Sequence, residues 1–317
     1  MTPRLVTVFG GSGFIGRNFV RLMAKTGAQI RVAVRNPSAA LFLRPMGDVG
    51  QIVPVQANLR APETVTAACQ GAEIVVNLVG ILYERGRQTF HTIHDQGARI
   101  IATAAKAAGA HQLLHISALG ASLNAASRYA RSKAAGEAAV RTAFPNATVF
   151  RPSVVFGPDD QFFNRFATLA SFLPALPLIG GGKTKVQPVY VGDVAAALMQ
   201  VITTPALQGK TYDLGGPRSY SWKEIMTLVC HETHRDRMLI PLPYSLAMIE
   251  AFFLEFLPIP PLTRDQVRLL KTDNVLNGEN PGLEALDISP TAVEALVPTY
   301  LYRFRPGGQF AEENKGK

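Results

Sequence analysis

Cysteine is nearly absent: Cys69 and Cys230 are the only two among 317 residues. They cannot make a disulfide framework, and a reducing compartment is the natural setting. Long apolar runs are missing too. The greasiest segment, "SLAMIEAFFLEFLPIPPL", carries two glutamates and three prolines, so no stretch reads as a bilayer-spanning helix. No secretory leader is expected ahead of the strand-like run Leu5–Phe9, which begins almost at the first methionine. The same crowding leaves no room for a mitochondrial presequence unless one has been removed. Basic clusters are also wanting. Lys and Arg number 32 against 23 acids, a formal net charge of +9, which suits nucleic acid, anionic lipid, an acidic protein or a phosphorylated cofactor. The bases are scattered, with no run of five and no alternation with aromatics, and this argues against nucleic acid.

What is present supports a large core. Hydrophobic residues make up 47% and charged residues 17%, which excludes global disorder. Short β-branched runs alternate with alanine-rich stretches through the first half. Strands are expected at Leu5–Phe9, Gln29–Val34, Gln51–Gln56, Ile74–Leu78, Gln112–Ser117 and Thr148–Arg151. Helices are expected at Phe14–Thr26, Pro62–Cys69, Thr92–Ala108 and Ser127–Phe144. Continuous apolar strands alternating with helices predict an α/β fold, a doubly wound parallel sheet covered on both faces. After about residue 156 the rhythm is broken by Pro and Gly ("SFLPALPLIGGGK", "LPIPPL"). The expected division is a nucleotide-binding domain over 1–155, to which 186–208 returns, and a smaller interleaved C-terminal domain over 156–317. The polar end, "GGQFAEENKGK", reads as a flexible tail.

The sharpest motif is "VTVFGGSGFIGRNFV", with Gly10, Gly13 and Gly16 between a strand and a helix. Gly10 permits a tight turn, Gly13 lets a pyrophosphate approach the backbone, and Gly16 lets helix and sheet close up. The loop Gly10, Gly11, Ser12, Gly13, Phe14, Ile15 and Gly16 is therefore a candidate dinucleotide cradle. The second strand ends in Arg35, where an acid would accept the ribose hydroxyls of NAD; an arginine there can bind a 2′-phosphate and favours NADPH. Arg31 and Asn36 lie nearby.

"RYARSKAAGE" places Tyr129 and Lys133 four residues apart, on one helix face. An ammonium beside a phenol favours phenolate, which makes the pair a candidate acid–base couple for carbonyl chemistry. "CHETH" offers Cys230, His231 and His234, but HxxH is not the spacing of a zinc hydrolase, so no metal site is expected. His91 and His94 are expected at the surface or an interface. "YSLAMIEAFFLEFLPIPPL" has a broad apolar helical stripe, and Arg264, Arg268 and Lys271 follow at helical spacing. An apolar stripe beside a basic ridge suits a docking segment for a partner protein or anionic lipid headgroups.

In order, "VFGGSGFIG", "VVNLVGIL", "LLHISALGA", "RYARSKAAGE", "FRPSVVFGP", "QPVYVGDVA" and "YDLGGPRSYSWKEI" resemble the blocks of the extended or atypical short-chain dehydrogenase/reductases. "LPIPPLTRDQVRLLKTDNVL" is similar to a segment of the NADPH-binding accessory subunits of respiratory complex I and their bacterial relatives. The resemblance spans about residues 4 to 300. It implies that Asn58 meets the adenine, that Leu78, Val79 and Gly80 pass the cofactor ribose, and that Pro152, Ser153 and Val155 frame the nicotinamide. It makes Tyr129 and Lys133 the family's YxxxK pair and Asn77 a backbone support. Active members carry a Ser or Thr shortly after the fifth strand; here Ala118 stands at the expected place with Ser117 one position early, and a one-residue shift in a strand turns a side chain to the other face.

Two functions stay open. One is an accessory subunit of complex I, the proton-pumping NADH:ubiquinone oxidoreductase. It would hold NADPH mainly structurally and dock near the quinone site. Its place would be peripheral, on the cytoplasmic face of a bacterial inner membrane or the matrix side in a mitochondrion. The other is a free-standing NADPH-dependent reductase or epimerase, with quinone metabolism as one setting for it.

Overall fold

The computed structural model describes residues 4–308; the tail from Gln309 onward lies outside them. The chain forms two compact units. The first comprises Met1–Pro152, Val191–Leu214 and Gly278–Ser289; the second comprises Ser153–Tyr190, Gly215–Asn277 and Pro290–Lys317.

The first unit is built on a seven-stranded sheet. Its strands are β1 (Leu5–Phe9), β2 (Gln29–Val34), β3 (Ile52–Gln56), β4 (Ile74–Asn77), β5 (Gln112–Ile116), β6 (Thr148–Pro152) and β7 (Thr211–Leu214). The spatial order is 3-2-1-4-5-6-7, and every pairing is parallel. The order reverses direction at β1 and β4, where ligands bind in such sheets, beyond the carboxyl ends of the strands. Val6, Val8, Val75, Val76, Leu113 and Leu114 are fully buried, as both-faces-covered strands require.

Helices α1 (Phe14–Ala24), α2 (Pro62–Cys69), α3 (Gly97–Ala107) and α4 (Arg128–Ala143) cover this sheet, joined by the returning helix Val191–Thr203. Helix α1 buries Phe19, Val20 and Met23, the i, i+1, i+4 face of its amphipathic stripe. The expected start of α3 at Thr92 is instead a π-helical turn, His91–Gln96. This wider turn carries His94 inward. There α4 comes close enough that a Cβ on Gly136 would collide with the His94 carbonyl oxygen. Alanines 98, 102, 104 and 105 of α3 leave room for such close packing.

The second unit packs the helices Phe163–Phe172, Trp222–Glu232 and Val293–Leu301 around Phe156, Phe163, Val229 and Val297. Its helix Tyr244–Leu254 buries only Ala247 and Ala251. Ile249, Phe253, Phe256 and Ile259 are 57, 65, 76 and 74% exposed. The basic ridge expected beyond this stripe is largely compensated within the unit. Arg264 pairs with Glu255 at 2.8 Å and lies over the Phe252 ring, Arg268 is 3.7 Å from Asp265, and Lys271 lies over the Tyr244 ring. Arg264 and Arg268 share the short helix Arg264–Leu269 while Lys271 lies just past its end, and Glu255 and Asp265 offset the two arginines of the expected positive face.

Candidate cofactor-binding site

The glycine loop leaves β1 and enters α1. Gly10 has φ +77°, a left-handed conformation that costs glycine little. A Cβ there would stand 3.0 Å from the Leu78 carbonyl carbon and 3.1 Å from the Val79 nitrogen. The loop is thus pressed against the segment that follows β4. The Gly13 amide donates to the Gly10 carbonyl at 3.0 Å, and a Cβ on Gly16 would run into Gly10 and Gly11. Gly13 is exposed at the head of α1. A backbone stripped of side chains at a helix N-terminus is a cradle for a pyrophosphate, so these residues fit a dinucleotide.

Leu78 and Val79 are held in place by Asn77. Its Oδ1 accepts from the Val79 amide at 3.1 Å, and its Nδ2 donates to His115 Nδ1 at 3.1 Å. Asn77 therefore supports the backbone, as the sequence suggested. At the end of β2, the exposed Arg35 donates to Gln88 Oε1 at 2.8 Å. Arg31 is spoken for: it donates to the carbonyls of Ala68 and Gln70. Asn36 and Asn58 each accept from the amide two residues on, Ser38 and Arg60, and so shape their own turns.

On α4 the ammonium of Lys133 donates to the Ile116 carbonyl at 2.9 Å. Burial pulls its pKa down from 10.5 to about 8. Gly80 approaches it: a Cβ there would lie 3.7 Å from Lys133 Nζ and 3.8 Å from His94 Nε2. Burial pushes the Tyr129 phenol up to about 12. This corrects the expected sign: in the chain alone desolvation dominates, so Tyr129 is a firmly neutral proton donor at pH 7. Ser117 is buried beyond β5, and its Oγ has no hydrogen-bond partner among the described residues.

His94, expected at the surface or an interface, is instead 2% exposed within the first unit. The Ile81 amide donates to Nε2 at 3.0 Å, which fixes the proton on Nδ1; that nitrogen donates to Ser132 Oγ at 2.8 Å, and Ser132 donates to the Tyr129 carbonyl. Its ring stacks on Phe90 and meets Tyr129 edge-on at 5.5 Å. Burial and the nearby Lys133 hold its pKa down at about 2, so the ring is neutral. Only its place before the alanine-rich helix hinted at this role. Glu137, four residues after Lys133, binds Arg151 through both oxygens, at 2.9 and 2.6 Å. Neither Gln88 nor this ion pair had any signal in residue spacing.

Gly10–Gly16, Arg35, Leu78–Gly80, Ser117, Tyr129, Lys133 and Pro152 all belong to the first unit, most of them just past the carboxyl ends of β1, β2, β4, β5 and β6. Asn58 follows β3 on the same edge. Ser153 and Val155 belong to the second unit, where Ser153 donates to Asn274 Oδ1 at 2.6 Å and Val155 pairs with Val189. His231 contacts Glu232 at 3.0 Å, and no group of three potential metal ligands occurs among the described residues.

Comparison with known proteins places this geometry in a lineage. The chain is 34% identical over 316 residues to the Arabidopsis thaliana mitochondrial NADH dehydrogenase [ubiquinone] 1 alpha subcomplex subunit 9, covering 96% of this chain and 79% of that protein. It is 35% identical over 241 residues to the ceramide reductase of Caulobacter vibrioides, covering 75% and 74% of the two chains. The Escherichia coli NADPH-dependent quinone oxidoreductase complexed with NADPH shares the fold at a TM-score of 0.75 and 20% identity, over 94% of this chain and 99% of that one. The model of the NAD dependent epimerase/dehydratase family matches residues 6–215. With its glycine cradle, parallel sheet and YxxxK helix, this chain belongs to that family of nicotinamide-dinucleotide-binding proteins.

Proposed function

We propose that this protein is an NADPH-binding accessory subunit of a proton-pumping NADH:ubiquinone oxidoreductase, bound peripherally at its membrane arm near the quinone site. The observation that carries the reading is the helix Tyr244–Leu254 and its following turn. They leave Ile249, Phe253, Phe256 and Ile259 in water. An apolar surface of this kind marks an interaction site. Relationship over nearly the whole chain to a mitochondrial complex I subunit supports the same reading. No helix among the described residues is long and apolar enough to cross a membrane, so attachment would run through this surface, to partner subunits and the adjoining lipid headgroups.

In this reading the bound nucleotide stabilises the native fold, since a ligand that binds only the folded state lowers its free energy. The Gly10–Gly16 loop holds the pyrophosphate, Arg35 the 2′-phosphate, and the Lys133 ammonium the nicotinamide-ribose hydroxyls. Bound NADPH would supply a hydride. Tyr129, neutral at pH 7, would then be the proton donor to a carbonyl, if a substrate reached it.

A second reading, a free-standing NADPH-dependent reductase acting on a membrane-derived carbonyl compound, is favoured by the buried and unpartnered Ser117 Oγ and by the ceramide reductase relationship. Gentle solubilisation of native membranes followed by native electrophoresis separates the two. Co-migration with the NADH:ubiquinone oxidoreductase supports the first, and a freely migrating protein that oxidises NADPH with added carbonyl compounds supports the second.

A further inference from the structure

The segment after β4 is strapped at two points. Glu84 reaches Arg128 at the head of α4 at 3.0 Å and also accepts from the Phe90 amide at 2.8 Å. Gln88 reaches Arg35 at the end of β2 at 2.8 Å. Between these anchors the chain makes a tight hairpin. Arg85 and Gln88 exchange both backbone hydrogen bonds at 3.0 Å, and Gly86 supplies the positive φ, +54°, that such a turn requires.

Residues that exchange both bonds project their side chains to the same face of the ribbon, with Cα atoms about 5.5 Å apart. Gln88 points at Arg35, so Arg85 emerges on the face that meets Arg35. Arg87 occupies the turn itself. The local charges do not cancel: Gln88 is neutral, Glu84 is already held by Arg128, and among the described residues Arg85 has no hydrogen bond or ion pair of its side chain. Two guanidinium groups brought together without a carboxylate repel each other unless an anion lies between them.

We propose that Arg85 is a specificity-determining residue, completing with Arg35 a two-arginine site for the 2′-phosphate of NADPH, with Gln88 holding Arg35 in position. This rests on the NADPH reading above and adds the second arm of the phosphate clamp. Gln88 suits its task because it orients a guanidinium without neutralising it. A glutamate there would occupy Arg35 and repel the phosphate.

The test measures NADPH and NADH dissociation constants of the full chain by calorimetry at several salt concentrations. Arg85→Ala is expected to weaken NADPH about tenfold, to leave NADH unchanged and to flatten the salt dependence of NADPH binding. Gln88→Glu should do the same, whereas Arg87→Ala should change the NADPH-to-NADH ratio by less than about twofold. Arg85 and Arg87 are exposed, so these variants should fold. If the wild type prefers NADPH and Arg85→Ala keeps its ratio, or loses both nucleotides equally, the proposal fails alone. If the wild type shows no preference for NADPH, the NADPH reading fails and takes the proposal with it.

Discussion

His94 Nε2 accepts the Ile81 amide at 3.0 Å. That single bond ties the segment following β4 to the π-helical turn, and through Ser132 to the head of α4. Gly80, beside it, faces both His94 and Lys133. The imidazole therefore sets the position of the backbone expected to meet the cofactor ribose.

The first prediction is an acid sensitivity of stability. His94 and His115 are neutral in the folded protein, with burial and Lys133 holding their pKa values at about 2 and about 3, against 6.5 in the unfolded chain. A depressed folded pKa means the unfolded state binds more protons below pH 6.5. Stability is then full above that pH and lost as pH falls, by about 1.4 kcal/mol per unit for each histidine. Urea midpoints followed from pH 7.5 to pH 4.5 should fall steeply. His94→Phe should reduce the slope by about one proton, while lowering stability at pH 7.5 by about 1–3 kcal/mol because the Ile81 amide loses its acceptor. An unchanged slope in the variant would show that His94 is not the titrating group.

The second prediction concerns Lys133. Its folded pKa, about 8, lies below the ordinary 10.5, so the ammonium form that can donate to ribose hydroxyls is lost as pH rises through 8. NADPH affinity should decline above that point by up to about tenfold per pH unit. Lys133→Ala should bind NADPH more weakly at pH 7, show a flat profile from pH 7 to 9, and lose the thermal stabilisation that NADPH gives the wild type. Calorimetric titrations across this range check it; a wild-type affinity that does not move between pH 7 and 9 counts against the role.

The sheet was legible because each parallel strand is a continuous apolar run. Leu5–Phe9 and Gln29–Val34 match their expected bounds, and the glycine loop announces itself by a spacing that few other structures require. What escaped was set by contacts between distant residues. His94 looked like a surface histidine because nothing in its neighbourhood reveals a widened helical turn, or a glycine at 136 that brings α4 against it. The Tyr129 pKa went the wrong way because helical spacing reports proximity to Lys133 but not burial, and burial dominates. The ridge is offset in two ways: the Arg264–Glu255 pair depends on how the chain turns between two helices, whereas Arg268–Asp265 is a pair three residues apart within one helix. The piece Gly278–Ser289, which completes the first unit, carries no periodicity that would assign it there.

The third prediction addresses the exposed apolar helix. Reversing Arg264 would break its ion pair with Glu255 and its contact with Phe252, and so would confuse docking with folding. Phe253 and Phe256 are 65 and 76% exposed, so Phe253→Asp with Phe256→Asp should cost little stability. The double variant should retain NADPH and its melting temperature within a few degrees, yet be lost from the washed membrane fraction. Retention on membranes would remove this surface from the docking role.

The last prediction decides what Tyr129 is for. Its phenol is raised to about 12 by burial, so at pH 7 it is a donor and not a phenolate base. Reduction of a carbonyl needs such a donor, but it also needs a pocket that holds the carbonyl within reach of the hydride and a second group to stabilise the developing charge. Ser117 has a buried, unpartnered hydroxyl in the same unit. If the protein is an accessory subunit, Tyr129→Phe should leave NADPH affinity within about twofold, and electron transfer by the host complex should be unchanged. The variant loses one hydroxyl while Lys133 keeps its bond to the Ile116 carbonyl. Single-turnover oxidation of bound NADPH, followed by absorbance with quinones and carbonyl compounds, should then be negligible in wild type and variant alike. Oxidation by the wild type that falls by about a hundredfold or more in both Tyr129→Phe and Ser117→Ala would make the protein a reductase and overturn the structural role of its nucleotide.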